Sequence, residues 1–304
     1  MSIPDDAPRE GLVVACRRRN FAVALPGGEK IDCVLRGRAT ILACGDRVRI
    51  ARAADGGVIE SVAPRTSLFY RSDAFHEKLI AANVTQVCGV AAAGISLDEE
   101  LIHRWSIAAE AQGCRFILAA NKSDLPGFDA LLERLEPFAR LGYRVVGLSA
   151  TNDVSPLLPW LAGERTALIG QSGMGKSTIL NAIAPEARAK TAEISEALAT
   201  GRHTTSNSTL HLLPPALGNG WIVDTPGLKA FGLAHIEPQA IASAFVELRP
   251  FLDRCRFRDC HHQNEPGCAV QDAVASGHMA PHRLALLHEL VAASAASRVP
   301  GRQH

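Results

Sequence analysis

The chain has 304 residues, 47% hydrophobic and 21% charged, with a formal net charge of +1. That length allows two or three domains with a substantial core, and the near-neutral charge means that any nucleic-acid partner must be met by local patches. No stretch of eighteen uncharged apolar residues occurs, and the acidic start MSIPDDAPRE lacks an apolar core, so neither a membrane span nor a secretory signal is expected.

Residues 10–64 read as short strands, Val13–Ala15, Phe21–Leu25, Ile31–Leu35, Arg47–Ile50 and Val58–Val62, separated by Pro26-Gly27-Gly28, Gly45-Asp46 and Asp55-Gly56-Gly57. About five strands with no helical period suggest a small β-barrel of the OB type; a β-rich extension packed on the next domain is the alternative. From about residue 80 strands and helices alternate. Val84–Ala93, Arg115–Ala120, Val145–Leu148, Thr166–Ile169 and Trp221–Val223 are apolar runs, while Leu101–Gln112, Leu131–Arg140 and Ser177–Ile183 have helical spacing. Such repetition predicts an α/β domain with a parallel sheet and helices on both faces. The part from about Ala234 reads as helical, with a cysteine-histidine knot and a disordered tail after Ser294. The expected domains are 1–64, 65–233 and 234–304.

Two short motifs come first along the α/β part. Asn121-Lys122-Ser123-Asp124 follows the strand Arg115–Ala120, and Ser149-Ala150 follows Val145–Leu148. A carboxylate at Asp124 can accept both N1–H and the exocyclic amine of guanine, a pairing adenine cannot offer. The Lys122 stem would cover the base, Asn121 would brace the loop, and the Ser149-Ala150 backbone could donate to guanine O6. Gly170-Gln171-Ser172-Gly173-Met174-Gly175-Lys176-Ser177 then fits the phosphate-binding pattern G-x-x-x-x-G-K-[ST], between an apolar strand and a helix that opens with Thr178. Its glycines let backbone N–H groups converge on phosphate oxygens, Lys176 supplies a point charge, and the Ser177 hydroxyl can ligate Mg²⁺.

Gly201-Arg202-His203-Thr204-Thr205 supplies a second Mg²⁺ ligand in Thr204 or Thr205, which the residues alone do not separate. In Asp224-Thr225-Pro226-Gly227, Asp224 would hold Mg²⁺ through water and the Gly227 N–H would sense a γ-phosphate. Leu228, at the place where Ras-like enzymes carry a water-orienting glutamine, can neither donate nor accept. His203 is the best substitute, since a neutral imidazole can orient water or take its proton. The set implies GTP hydrolysis to GDP; a guanine-nucleotide-gated RNA-binding switch with negligible turnover is the alternative, and Asp124 argues against an ATP-using kinase.

Eight cysteines in a chain of this length do not suit a disulfide framework. Cys16, Cys33, Cys44, Cys88 and Cys114 are scattered through apolar surroundings, while the other three crowd into Cys255–Cys268. That distribution favours a reducing compartment, hence a cytoplasmic location, with one metal site. Cys255, Cys260 and Cys268, with His261 or His262, make a closed tetrahedral set for structural Zn²⁺. Arg17-Arg18-Arg19, Arg36, Arg38, Arg47 and Arg49 place positive charge on the first domain, and Arg254, Arg256 and Arg258 interleave the zinc ligands. With aromatics only 5% of the chain, an RNA partner would be held mainly through its backbone.

The nucleotide motifs run in permuted order: the guanine motifs precede the phosphate loop, and DTPG comes last. With this order, the barrel segment carrying Arg36-Gly37-Arg38 and Gly45-Asp46-Arg47-Val48, Ala81-Ala82-Asn83 and the metal knot, the whole chain resembles the family of circularly permuted GTPases that depend on the bacterial small ribosomal subunit. The resemblance implies an OB-like barrel, a permuted P-loop GTPase domain and a helical zinc domain. It also selects His262 over His261, supports His203, and implies 30S subunits with their 16S rRNA as partner in late maturation, with the protein monomeric. Two positions depart from the family pattern: Thr85, where an acidic residue is expected, and Ser206, where a third threonine is usual.

Overall fold

The computed structural model describes residues 9–16, 20–36, 41–53, 56–72, 77–185, 208–225, 233 and 236–297. Strands β1 (Arg9–Cys16), β2 (Asn20–Ala24), β3 (Lys30–Leu35), β4 (Arg47–Ala53) and β5 (Gly56–Val62) pair in the order β1-β2-β3-β5-β4, and β4 pairs back onto β1. The five strands therefore close into the expected barrel. Closure follows from alternation: Val13, Val23, Cys33, Val48, Ile50 and Ile59 point into a shared core while the residues between them face outward. Register shifts at Val13/Ala15 and Arg49/Ile50 supply the local bends.

A hairpin, β6 (Leu68–Ser72) with β7 (Glu77–Ala82), follows the barrel and was not among the expected elements. The segment between its strands, Asp-Ala-Phe-His, carries neither glycine nor proline to mark a turn. Beyond the barrel the same sheet continues, through a pairing of β1 with β12, into β8 (Gln86–Ala92), β9 (Arg115–Asn121), β10 (Arg144–Gly147), β11 (Arg165–Ile169), β12 (Thr209–Leu212) and β13 (Trp221–Asp224), ordered β10-β9-β8-β11-β13-β12. All neighbours are parallel except β12, which lies antiparallel to β13. Helices cover both faces because residues alternate between two cores. Val87, Ala91, Phe116 and Leu118 pack with α1 (Glu99–Ala111) and α2 (Phe128–Arg140). Cys88, Val90, Ile117 and Leu168 pack with α3 (Leu158–Leu161) and α4 (Lys176–Ile183). Thr85, the unusual residue at the start of β8, is structural: its hydroxyl donates to Glu164 Oε2 at 2.7 Å and accepts from Arg165 N at 2.9 Å.

Of the C-terminal helices α5 (Pro238–Ser243), α6 (Ala269–Ala275) and α7 (Pro281–Ser297), α5 and α7 lean on α1, and α6 joins the same core. The helix runs past Ser294, where a disordered tail was expected; Ser294 is buried and its hydroxyl donates to Ile236 O at 2.6 Å, which anchors the last turn. Ion pairs Arg104–Glu289 and Arg249–Glu110 bridge the rim of this contact. Inside it, Arg283 is 3% exposed, forks onto Glu247 at 2.6 and 2.9 Å, and points Nη1 at His103 Nδ1, 3.1 Å away. Burial, with Arg283 and His282 alongside, pushes the His103 pKa down to about 3, so its ring is neutral and accepts from the guanidinium. Among the described residues no helix is long and apolar enough to cross a membrane.

Candidate nucleotide site and metal cluster

Three loops meet where the parallel strands end. Asn121, the last residue of β9, is 2% exposed and ties them together: Nδ2 donates to Met174 O at 2.8 Å, and Oδ1 accepts from Ala150 N at 3.0 Å. One short amide thus joins the Gly170–Ser177 loop, the Asn121–Asp124 turn and the Ser149–Ala150 turn. Gly175 makes this approach possible, because a Cβ there would lie 2.3 Å from Asn121 Nδ2 and its φ is +94°. Losing the amide would strand two buried backbone groups, at a cost of about 1–3 kcal/mol each.

Lys122 follows in the left-handed region at φ +64°, which turns the chain so that Asp124 comes under Ser149. The Ser149 hydroxyl donates to Asp124 Oδ1 at 2.5 Å. The Ser149-Ala150 motif points only to a backbone role for Ser149; nothing in a Ser-Ala pair marks its hydroxyl as the partner of Asp124. Ser123 N donates to Leu148 O, which seats the turn against β10. The exposed Asp124 is in this way oriented by a hydroxyl.

The phosphate loop is shaped by backbone that side chains do not allow. At Gly170, a Cβ would meet Val90 O at 2.8 Å, and Gly173 has φ +82°. Met174 is buried between β8 and α4, which pins the loop's centre. Gln171, Ser172, Ser177 and Thr178 remain accessible at the mouth. Lys176 Nζ donates to Gly170 O at 2.7 Å and Gln171 O at 3.0 Å, so its charge is held inside the loop. Burial lowers the Lys176 pKa while Asp224 opposes that shift; burial raises the Asp224 pKa while Lys176 opposes it. The two charges, on α4 and at the end of β13, therefore lie near enough to act on one another. The next residue, Thr225, is fully buried and donates its hydroxyl to Leu168 O at 2.8 Å, fixing the carboxylate's strand end to β11. His203, Thr204, Thr205, Ser206, Gly227 and Leu228 lie outside the described residues, as do Arg17, Arg18, Arg19 and Arg38.

Cys255, Cys260, His262 and Cys268 bring their donor atoms within 4.8 Å of one another. Sγ of Cys255 lies 3.5 Å from His262 Nδ1 and 4.0 Å from Cys268 Sγ, and the last two residues are 3.6 Å apart. A tetrahedral zinc ion sets thiolate and imidazole ligands roughly 3.5–3.8 Å apart, so the set fits. His262 takes φ +60°, and its carbonyl accepts from Gln271 Nε2 at 2.8 Å, with His288 Nε2 3.0 Å away. The exposed His261 is used differently: its backbone N donates to Glu265, whose carboxyl is pulled down to about 2 by the N–H groups around it. Of the arginines around the cluster, Arg256 lies over the exposed Phe257 ring. On the barrel, Arg47 and Arg49 are exposed, and Arg36 pairs with Glu60.

Comparison with known proteins gives one consistent result. A protein-family model described as RsgA GTPase matches residues 62–234. The chain is 44% identical over 295 residues to the small ribosomal subunit biogenesis GTPase RsgA of Nitrosospira multiformis, covering 96% of this chain and 93% of that one. It is 46% identical over 286 residues to the protein of the same name from Nitrosomonas europaea, covering 92% and 90%. Among solved structures, YjeQ from Thermotoga maritima superposes with a TM-score of 0.69 at 28% identity, over 98% of this chain and all of that one. YloQ, a circularly permuted GTPase, superposes at 0.68 with 24% identity over 97% and 98%, a likeness of fold.

Proposed function

The chain belongs to the RsgA GTPase family and is a guanine-nucleotide-binding GTP hydrolase; from that membership we propose how its residues run the reaction and which partner stimulates it. The observation that carries the reading is Asn121, whose side chain joins the guanine turn, the Ser149–Ala150 turn and the phosphate loop in one rigid unit. GTP or GDP would lie across that unit. Asp124, steadied by Ser149, accepts from the base edge; Lys122 covers its face; Ala150 N–H lies on the O6 side. The loop from Gly170 through Gln171, Ser172, Gly173, Met174 and Gly175 to Ser177 and Thr178 cradles the phosphates, with Lys176 against the β- and γ-oxygens.

Ser177, Asp224 and Thr204 or Thr205 would hold a magnesium ion. The opposite charges of Lys176 and Asp224, each acting on the other, fit a site built to balance phosphate and metal charge. Bound there, the ion would neutralise charge on the phosphate oxygens. Gly227 N–H would report the γ-phosphate. His203 orients the attacking water where Leu228 cannot. Cys255, Cys260, His262 and Cys268 would bind one structural zinc, leaving no open position for chemistry. The chain divides into a barrel over 1–64, a GTPase domain over 65–233 and a zinc domain over 234–304. The relatives' name supports the small ribosomal subunit, with its 16S rRNA, as the partner in late maturation. A monomer acting in the cytoplasm suits that role.

The test is GTP turnover by the purified protein, alone and with 30S subunits, with ATP as control. A slow basal rate raised strongly by 30S is expected, with ATP inert. His203→Ala in the same assay should spare GTP affinity and slow turnover at least about tenfold. Turnover indifferent to 30S would remove the partner, and an unchanged His203→Ala rate would remove that histidine.

A further inference from the structure

The barrel touches the nucleotide-binding sheet along a narrow seam, and that seam lies in register with the site. Ala15 of β1 pairs with Thr209 of β12, Thr209 pairs with Asp224 of β13, and Asp224 pairs with Leu168 of β11. These four residues form one rung, so their side chains share a face. It is the face of α4, because Leu168 packs with Met174 and Ile179. Only two strand spacings, about 10 Å, separate the barrel residue from the carboxylate. The ladder goes no further: β1 turns away to pair with β4 from Leu12 on, leaving a groove of about 380 Å³ between Gly11, Leu12, Leu25 and Leu212.

The barrel loop at 41–46 reinforces the same rung. Cys44 donates its thiol to Ser208 O at 3.2 Å, next to Thr209. Gly45 sits on the other end of β13: a Cβ there would meet Ala82 O at 2.2 Å and the Trp221 ring at 3.0 Å, and Asn83 Nδ2 donates to Gly45 O at 2.8 Å. The loop is stiff. Asp46 is fully buried, accepts Ala43 N and both Nε and Nη2 of Arg65, and Arg65 also holds Ile41 O. Four-residue β13 is thus gripped by the barrel at Trp221 directly and at Asp224 through Thr209.

We infer that Thr209, held by Ala15 and Cys44 of the barrel, is a positioning residue for Asp224, so that the seating of the barrel sets how well the site takes magnesium with its nucleotide. This rests on the reading of Asp224 as the magnesium-side carboxylate. A partner that shifts the barrel would act on the γ-phosphate end of the site and leave the guanine end, three and four strands away at β9 and β10, untouched.

The test measures binding of a fluorescent non-hydrolysable GTP analogue to the full-length protein with magnesium and with a chelating buffer that leaves zinc bound. The readout is the ratio of the two affinities. Gly45→Ala wedges the seam; it should cut the magnesium-dependent tightening at least about threefold and leave magnesium-free affinity within about twofold. Cys44→Ala, a milder change that keeps both domains folded should the wedge not be tolerated, should move the ratio the same way. Asp224→Asn should abolish the tightening. A ratio collapsed by Asp224→Asn but unmoved by the folded seam variants overturns the coupling alone. A ratio indifferent to Asp224→Asn overturns the reading of the carboxylate, and the inference with it.

Discussion

Asp124 lies in the turn after β9, with Lys122 in the left-handed region two residues before it. Its carboxylate is exposed and is aimed by Ser149, a residue twenty-five positions away. Asp124→Asn turns one acceptor into a donor and should shift preference from guanine toward xanthine nucleotides, read by competition of XTP against GTP; unchanged GTP preference would make the base contact wrong. At His103 the chemistry is of folding. The ring is buried and its pKa is held down to about 3, against an ordinary 6.5. As the pH falls below 6.5 the unfolded chain takes a proton that the folded chain refuses. The contribution is therefore whole above 6.5 and is lost progressively toward pH 3, at about 1.4 kcal/mol per pH unit. His103→Asn, which keeps an acceptor for Arg283 without titrating, should flatten the fall of melting temperature between pH 6.5 and 4. An identical slope in both proteins would refute that assignment.

Among the elements, the segment 255–268 differs most from the rest. It has no strand and no α-helix, and its turns are held by Glu265, Gln271 and the cluster of Cys255, Cys260, His262 and Cys268. Metal would supply folding free energy on the order of 10 kcal/mol to such a loop. Stripping zinc with a strong chelator should expose 255–268 to protease and lower the melting temperature, while guanine nucleotide affinity, measured after restoring magnesium, stays within about twofold because the site is built on β8–β13. A loop still resistant after metal loss would show that packing alone suffices. The strand β8 lies at the opposite extreme. Every residue in it is buried, it is flanked by parallel neighbours, and its apolar run was readable as a strand for that reason. The four-residue β12 was not, since a short segment such as Thr-Leu-His-Leu becomes a strand only when β13 and β1 supply its hydrogen-bond partners.

At the scale of the whole molecule, two appendages are attached to the nucleotide-binding sheet. The barrel arrives at β12 and β13, and the C-terminal helices close over α1. Both appendages carry exposed arginines, Arg47 and Arg49 on one and Arg254, Arg256 and Arg258 on the other. With a net charge of only +1, binding to 30S subunits should depend on such local contacts with phosphate. Affinity should fall at least about tenfold between roughly 50 and 200 mM salt. Salt-insensitive binding, measured by co-sedimentation, would count against the arginine patches.

The division between what could be read and what had to be seen follows from the range of the interactions. Barrel, alternating α/β units, glycine-rich loop and cysteine-histidine knot were legible because each depends on local chemistry: alternation, backbone freedom at Gly170, Gly173 and Gly175, and donors close along the chain. The hairpin at Leu68–Ala82, the last turns of α7, Ser149 beneath Asp124 and the rung from Ala15 through Thr209 to Asp224 were not. They are contacts between residues remote in sequence, and no local pattern records which strand will find which partner. Motifs such as Asn121–Asp124 and Gly170–Ser177 can be named from residue type and spacing; which side chains aim them, and where the barrel meets the sheet, depend on strand register, which no local pattern carries.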